Sequence, residues 1–205
     1  MDKNLKIKKP CQEELKKWLE AWEAMDNYKN QEKALNKLFH ETYPKNTDIE
    51  EILIKVATLN DFYSTHILNI FKVAKHIKNI KKLDDRLKSG DEKLVNEIAK
   101  VGLKNKNGKK IIFYSFATKF CSHHNNKDFA IYDSYVEKIL MYFKKCHNFS
   151  NNFTKKDDLK QYSKFKNILF DFRKHYKLNC NLKGLDRYLW QLGRKYFSKN
   201  NKIKE

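Results

Sequence analysis

The chain is poor in the residues that interrupt regular structure. Five glycines and two prolines in 205 residues leave few of the turns that an all-β fold needs. No apolar run approaches the roughly 20 residues required to cross a bilayer. Met1–Pro10 carries lysines without an apolar stretch, so it does not read as a secretory signal. Four cysteines, Cys11, Cys121, Cys146 and Cys180, are too widely spaced to resemble a zinc or iron–sulfur ligand set. They read as reduced, structural thiols of a cytoplasmic protein. Acidic residues are also scarce: 25 Asp and Glu stand against 44 Lys and Arg, a formal charge of +19.

Phosphate backbones are the natural partner for such a field. The basic residues are nevertheless spread along the chain. Lys, Asn and Ile are abundant together, a pattern that an A/T-rich genome also produces. Hydrophobic residues make up 40% and aromatics 14%, enough for a substantial core in one domain or one domain of two lobes.

Helical periodicity dominates. Leu15, Trp18, Leu19, Trp22 and Met25 predict an amphipathic first helix, and Gln31 to Thr42 a second that stops before Pro44. Thr47 followed by Glu50 reads as a capping box opening the next helix. A further helix is predicted from Ser64 or Thr65, burying Ile67, Ile70, Phe71, Ala74 and Ile77. Ser89-Gly90-Asp91 breaks the chain before a helix that runs to about Val101. Val101–Lys110 reads as a loop or hairpin, and Ile111–Tyr114 as the start of the helix continuing through Ala117, Phe120 and Cys121. Stripes at Val136, Ile139, Leu140 and Phe143, at Tyr162–Tyr176, and at Leu185–Tyr196 complete an all-α chain. Asn148–Asp158 is the most polar connection.

The informative stretch is Ser115–Val136. A helical segment ends in the polar loop holding His123 and His124, and the apolar triplet Ala130-Ile131-Tyr132 then delivers one carboxylate, Asp133, to the start of a helix. Asp at that place is also an ordinary N-cap. The spacing of eighteen residues between Ser115 and Asp133, with the Phe-Ala-Ile-Tyr-Asp run, resembles the helix-hairpin-helix DNA glycosylases, in particular their 8-oxoguanine and adenine branches. The resemblance implies a two-lobed all-α fold, with residues 56–145 forming the hairpin lobe and 1–55 plus 146–205 the other. It implies an enzyme that flips a base out of double-stranded DNA and hydrolyses its glycosidic bond; a monomer with no cofactor and no metal ligand set is expected. Four-cysteine clusters found in some relatives of that superfamily are absent.

On this resemblance Asp133 is the catalytic carboxylate, stabilising an oxocarbenium-like sugar. Ser115 takes the place held by a Schiff-base lysine in strand-nicking branches, which implies hydrolysis by water. The family's Gly-x-Gly hairpin is missing, and Gly108, Lys109 and Lys110 stand as an altered phosphate clamp. Asn60, in Leu59-Asn60-Asp61-Phe62, matches the residue that fills the space left by the flipped base, with Phe62 or Tyr63 as wedge; a plain structural turn is the competing reading. Lys119 reads as a solvated lysine that contacts DNA. Candidates for the base pocket are Phe113, Tyr114, His123, His124, Trp190 and Gln191. Adjacent histidines in a ligand-poor loop read as polar surface or DNA contacts rather than a metal pair, and Trp190 as packing in the last helix. The rival class is a helical DNA-binding module without chemistry.

Overall fold

The computed structural model describes residues 6–198. Ten α-helices, and no strand, occur among them: α1 Gln12–Glu23, α2 Asp26–Lys37, α3 Ile49–Phe62, α4 Ile70–Lys78, α5 Leu83–Lys88, α6 Lys93–Ala99, α7 Tyr114–His124, α8 Ser134–His147, α9 Tyr162–His175 and α10 Leu182–Phe197. A π-helical turn, Leu38–Thr42, prolongs α2, and a short 3-10 helix spans Lys156–Lys160. None of the helices is long and apolar enough to cross a membrane. The fold is all-α.

The chain divides into two units. The first joins residues 1–24 to 133–205, and the second is the continuous segment 25–132. The boundaries therefore fall at 24/25 and 132/133, where the sequence suggests 55/56 and 145/146. The shift has a cause within the first unit: α8 packs along α10 and so belongs with the carboxyl-terminal helices.

That packing needs Gly193. A Cβ built there would lie 2.5 Å from the Tyr135 Cβ and 2.6 Å from the Tyr135 carbonyl oxygen. Only a residue without a side chain lets α10 approach the first turn of α8 so closely. Gly193→Ala gains about 1 kcal/mol of helix propensity and loses about 3 kcal/mol to overpacking against backbone. A net destabilisation of about 2 kcal/mol is expected, read as a lower urea midpoint. Elsewhere in this unit Trp22 and Trp190 meet edge to face at 5.8 Å, and Phe143, Phe149, Phe172 and Tyr176 form an aromatic cluster. The polar connection Asn148–Asp158 is anchored by two buried phenylalanines, Phe149 and Phe153. The buried Asp158 accepts from the Lys155 and Thr154 amides and the Thr154 hydroxyl. These donors, the Lys155 amide foremost, hold its carboxyl well below the ordinary range.

In the second unit α7 is the central helix. Tyr114 and every residue from Phe116 to His123 are buried, and α6, α3, α5 and the π-helical turn pack around it. Several boundaries differ from the sequence expectation. α1 stops at Glu23 and Met25 stands before α2, which begins at Asp26. The capping box at Thr47 does not form; Asp48 precedes α3 and the Thr47 hydroxyl donates to the Asp48 carboxylate instead. The helix expected from Ser64 or Thr65 begins only at Ile70, because Ser64 and His66 adopt left-handed backbone at φ 47° and 56°. Phe71 is consequently rotated outward, 55% exposed, where the pattern predicts burial. Ile111–Phe113 lies outside α7, held by Ile111 N–H to the Leu103 carbonyl and Phe113 N–H to the Ala99 carbonyl.

Candidate functional site

The residues singled out by the sequence fall in both units. In the second, three side chains at helical spacing on α7, Ser115, Thr118 and Lys119, grip the backbone of one residue. The Tyr132 N–H donates to Thr118 Oγ1 at 3.1 Å, and the Tyr132 carbonyl accepts from Ser115 Oγ at 3.1 Å and Lys119 Nζ at 3.1 Å. Lys119 Nζ also donates to Ser115 Oγ at 2.7 Å and lies 5.1 Å from the centre of the Tyr63 ring. Positions i, i+3 and i+4 share one helix face, so the buried triplet Ala130-Ile131-Tyr132 is docked along α7 by its last residue. The next residue in the chain is Asp133.

In the first unit, Asp133 has extended backbone and caps α8: its Oδ1 accepts from the Tyr135 amide at 2.7 Å. The N-cap role that its residue type suggests is therefore real. It is compatible with catalysis, since the same bond fixes the direction of the carboxylate.

Lys119 requires a correction. It is not a solvated surface side chain but 1% exposed, its ammonium held by the Ser115 hydroxyl, the Tyr132 carbonyl and the face of Tyr63. His123 and His124 are likewise not polar surface. His123 is buried, its Nε2 paired with the Tyr63 hydroxyl at 2.8 Å. His124 packs on Phe39 at 4.8 Å and its Nε2 meets the Asn46 amide nitrogen at 3.2 Å. The amide donates there, which makes Nε2 the acceptor and places the ring proton on Nδ1. Burial drives the His124 pKa well below the usual imidazole range, aided by Lys55, His40 and His123.

Asn60 is a structural residue. Its Oδ1 accepts from the Ile67 amide and the Thr65 hydroxyl, and its Nδ2 donates to the Ile67 carbonyl. This closes the α3–α4 turn and uses both acceptor sites of Oδ1 and one of the two Nδ2 donors. Phe62 is half-buried at the end of α3. Gln191 is buried, with its amide donating to the Trp18 and Arg187 carbonyls. It ties α10 to α1. Trp190 packs against Trp22 and Tyr135 in the first unit. Tyr114 is buried against Tyr132, and burial raises its hydroxyl pKa. Phe113 precedes α7 and is half-buried.

The segment between α6 and α7 is a bridged turn. Lys104 and Lys110 pair as an isolated antiparallel bridge, and Gly102 and Gly108 have φ of 83° and 72°. The Asn107 and Lys109 amides donate to the Asn105 side chain and the Gly108 amide to the Asn105 carbonyl. The Asn105, Asn107, Gly108 and Lys109 amides are thus spent within the turn. What it offers a phosphate is charge: Lys104, Lys106, Lys109 and Lys110 are all exposed. Like charges opposite one another on a bridge repel.

The sequence reading missed a buried cation, Lys55 of α3. It is 0% exposed, donating to the Lys45 carbonyl at 2.6 Å and Asn46 Oδ1 at 2.8 Å, with the Phe39 ring centre 5.6 Å away. Asn46 in turn binds Asp84. Burial lowers the Lys55 pKa to about 8, against the pull of Asp84 and Glu51. Beside this network lies a cavity of about 630 Å³, lined in part by Phe39, His40, Pro44, Asp84, His124 and Asp128. Neither Ser115 nor Lys119 lines it. Among the described residues no group of three or more His, Cys, Asp or Glu is placed to hold a metal.

A family model, HI_0787_N, described as an N-terminal domain, matches residues 14–128, more than half of the chain. A protein of Haemophilus influenzae described as "Uncharacterized protein" is 52% identical over 154 residues, covering 75% of this chain and 72% of its own. No solved structure matches.

Proposed function

We propose that this chain, which belongs to the HI_0787_N family on the two matches just given, is a DNA N-glycosylase. It would take a damaged or modified base flipped out of double-stranded DNA and hydrolyse its bond to the sugar. The observation that carries this reading is the triple grip of α7 on Tyr132. It turns the eighteen-residue spacing into a physical link, since the side chain at the first position of the pattern holds the peptide that leads into the carboxylate. Two packed helices joined by a bridged, lysine-rich turn, α6 and α7, support the helix-hairpin-helix reading in the same unit. The two-lobed glycosylase-like fold and a repair or anti-phage role belong to this proposal.

In the reaction, cleavage of the glycosidic bond leaves positive charge on the sugar. The Asp133 carboxylate stabilises that charge or orients the attacking water. Its cap bond to the Tyr135 amide sets the direction in advance. Lys119, one helical turn after Ser115, carries an amine, yet it is engaged as a donor to two oxygens. An amine attacks through a lone pair, which an ammonium committed to acceptors does not present. Both this engagement and the presence of Ser115 favour hydrolysis by water.

The test is to incubate the protein with duplexes bearing a panel of modified bases and to look for alkali-labile sites. Base release is expected on at least one duplex, with no covalent adduct under borohydride. A borohydride adduct lost in Lys119→Gln would overturn the water-only assignment. Tight binding with no abasic product on any duplex would favour the non-catalytic module.

A further inference from the structure

The segment from Phe62 to Leu83 contains Lys72, Lys75, Lys78, Lys81 and Lys82 and not one Asp or Glu. A run of that length without an acid is notable in a chain that is 34% charged. All five lysines are exposed. On the opposite side of the same segment Ile67, Val73, Ala74, Ile77, Ile80 and Leu83 are buried. The outer face of α4 therefore presents a lysine on successive turns, continued by Lys81 and Lys82.

At the head of this face stands Leu68, 100% exposed, with Phe71 beside it in sequence at 55%. A leucine left in water forgoes about 1.5–3 kcal/mol of burial. The loop carrying it is not slack. Two non-glycine residues take left-handed backbone, Ser64 and His66, and Asn60 clamps the turn with three side-chain hydrogen bonds to Thr65 and Ile67. Non-glycine residues held in that region cost about 1–3 kcal/mol each. The fold thus keeps an apolar knob outside its own core on a braced support.

We propose that segment 62–83 is a docking ridge for duplex DNA, on which the lysines hold the phosphates of one strand and Leu68, backed by Phe71, enters between base pairs. Apolar side chains inserted at a base step unstack it and kink the duplex, while surrounding cations supply the affinity. A lipid surface is the other partner with matching charge, but an interfacial helix buries a broad apolar face. Here the other apolar residues of α4 apart from the partly exposed Ile70 are committed to the core, so two exposed side chains fit a base step better than an acyl boundary. The ridge rests on the DNA-acting reading above but not on its chemistry.

The full chain is titrated into a fluorescein-labelled duplex containing 2-aminopurine, across a salt series. Wild type is expected to bind and to raise 2-aminopurine fluorescence. The combined Lys72→Gln, Lys75→Gln and Lys78→Gln variant is expected to bind at least about tenfold more weakly at low salt, with the salt slope reduced by about 2.7, or 0.9 per lost phosphate contact. Leu68→Ser is expected to keep the wild-type slope and lose the fluorescence rise. All these side chains are exposed, so thermal melts of the variants should match wild type. A triple variant with unchanged slope and affinity overturns the ridge, as does a Leu68→Ser variant that still opens the duplex. Lysine-dependent binding to phosphatidylserine vesicles without binding to DNA assigns the face to membranes and overturns it too. Wild type that binds and opens duplexes yet releases no base leaves the ridge standing and removes the glycosylase reading; wild type that binds no DNA removes both.

Discussion

Asp133→Asn lowers base release by about 10²–10³-fold under the proposed reaction, with little change in stability. The magnitude is that of removing one preorganised electrostatic contact to charge developing in a transition state. The substitution is chosen because Asn is as good an N-cap as Asp. Its side-chain oxygen keeps the acceptor for the Tyr135 amide, so α8 starts as before and only the negative charge is lost. Asp133→Ala removes cap and charge together and is expected to cost a further ~1 kcal/mol of stability. The two variants therefore separate chemistry from architecture. Base release at the wild-type rate in Asp133→Asn, with a lower melting temperature in Asp133→Ala, would reduce Asp133 to a helix cap and end its assignment as the catalytic carboxylate.

Lys55 gives the second large effect, on stability against pH. Its folded pKa is about 8, lowered by burial from the ordinary 10.5. Between those values the unfolded chain binds a proton that the folded chain does not. Stability therefore rises with pH across this window, by up to about 1.4 kcal/mol per unit. Below about pH 8 both states are protonated and the full penalty, about 3 kcal/mol, is present but constant. Burial raises the pKa of Tyr114, Cys121 and Tyr188, so toward the upper end of this range the unfolded chain loses protons that the folded chain keeps, which acts in the opposite sense. The clean measurement is accordingly the difference in unfolding free energy between wild type and Lys55→Met, taken from pH 7 to 10.5. That difference should shift toward wild type as pH rises. A difference that stays flat would show that the ammonium remains charged in the fold, fully offset by the Lys45 carbonyl and Asn46.

The helical character of the chain and the position of α8 were legible because the relevant side chains repeat at 3.6 spacing and one face of each helix is buried. Val136, Ile139, Leu140 and Phe143 are all in the core. The start of α4 was not legible. Left-handed backbone at Ser64 and His66 is braced by the Asn60 side chain, and neither serine nor histidine announces that conformation as a glycine would. Lys119 was misread for another reason: residue type alone sends lysine to the surface. A signal was available nonetheless. From Tyr114 to His124 it is the sole Lys, Arg, Asp or Glu, in a chain one-third charged, and a helix apolar nearly all round is a buried one. Lys55, set within Ile52-Leu53-Ile54-Lys55-Val56-Ala57, carries the same mark.

The division of the chain has a practical consequence. The continuous unit, 25–132, is a guest inserted between two pieces of a host that starts before Met25 and resumes at Asp133. The guest can be excised as one uninterrupted polypeptide, whereas the host can be made alone only by splicing Ala24 to Asp133. Since Ser115 travels with the guest and Asp133 with the host, neither product carries both halves of the spacing pattern, and mixing the two is a complementation experiment that the topology itself supplies.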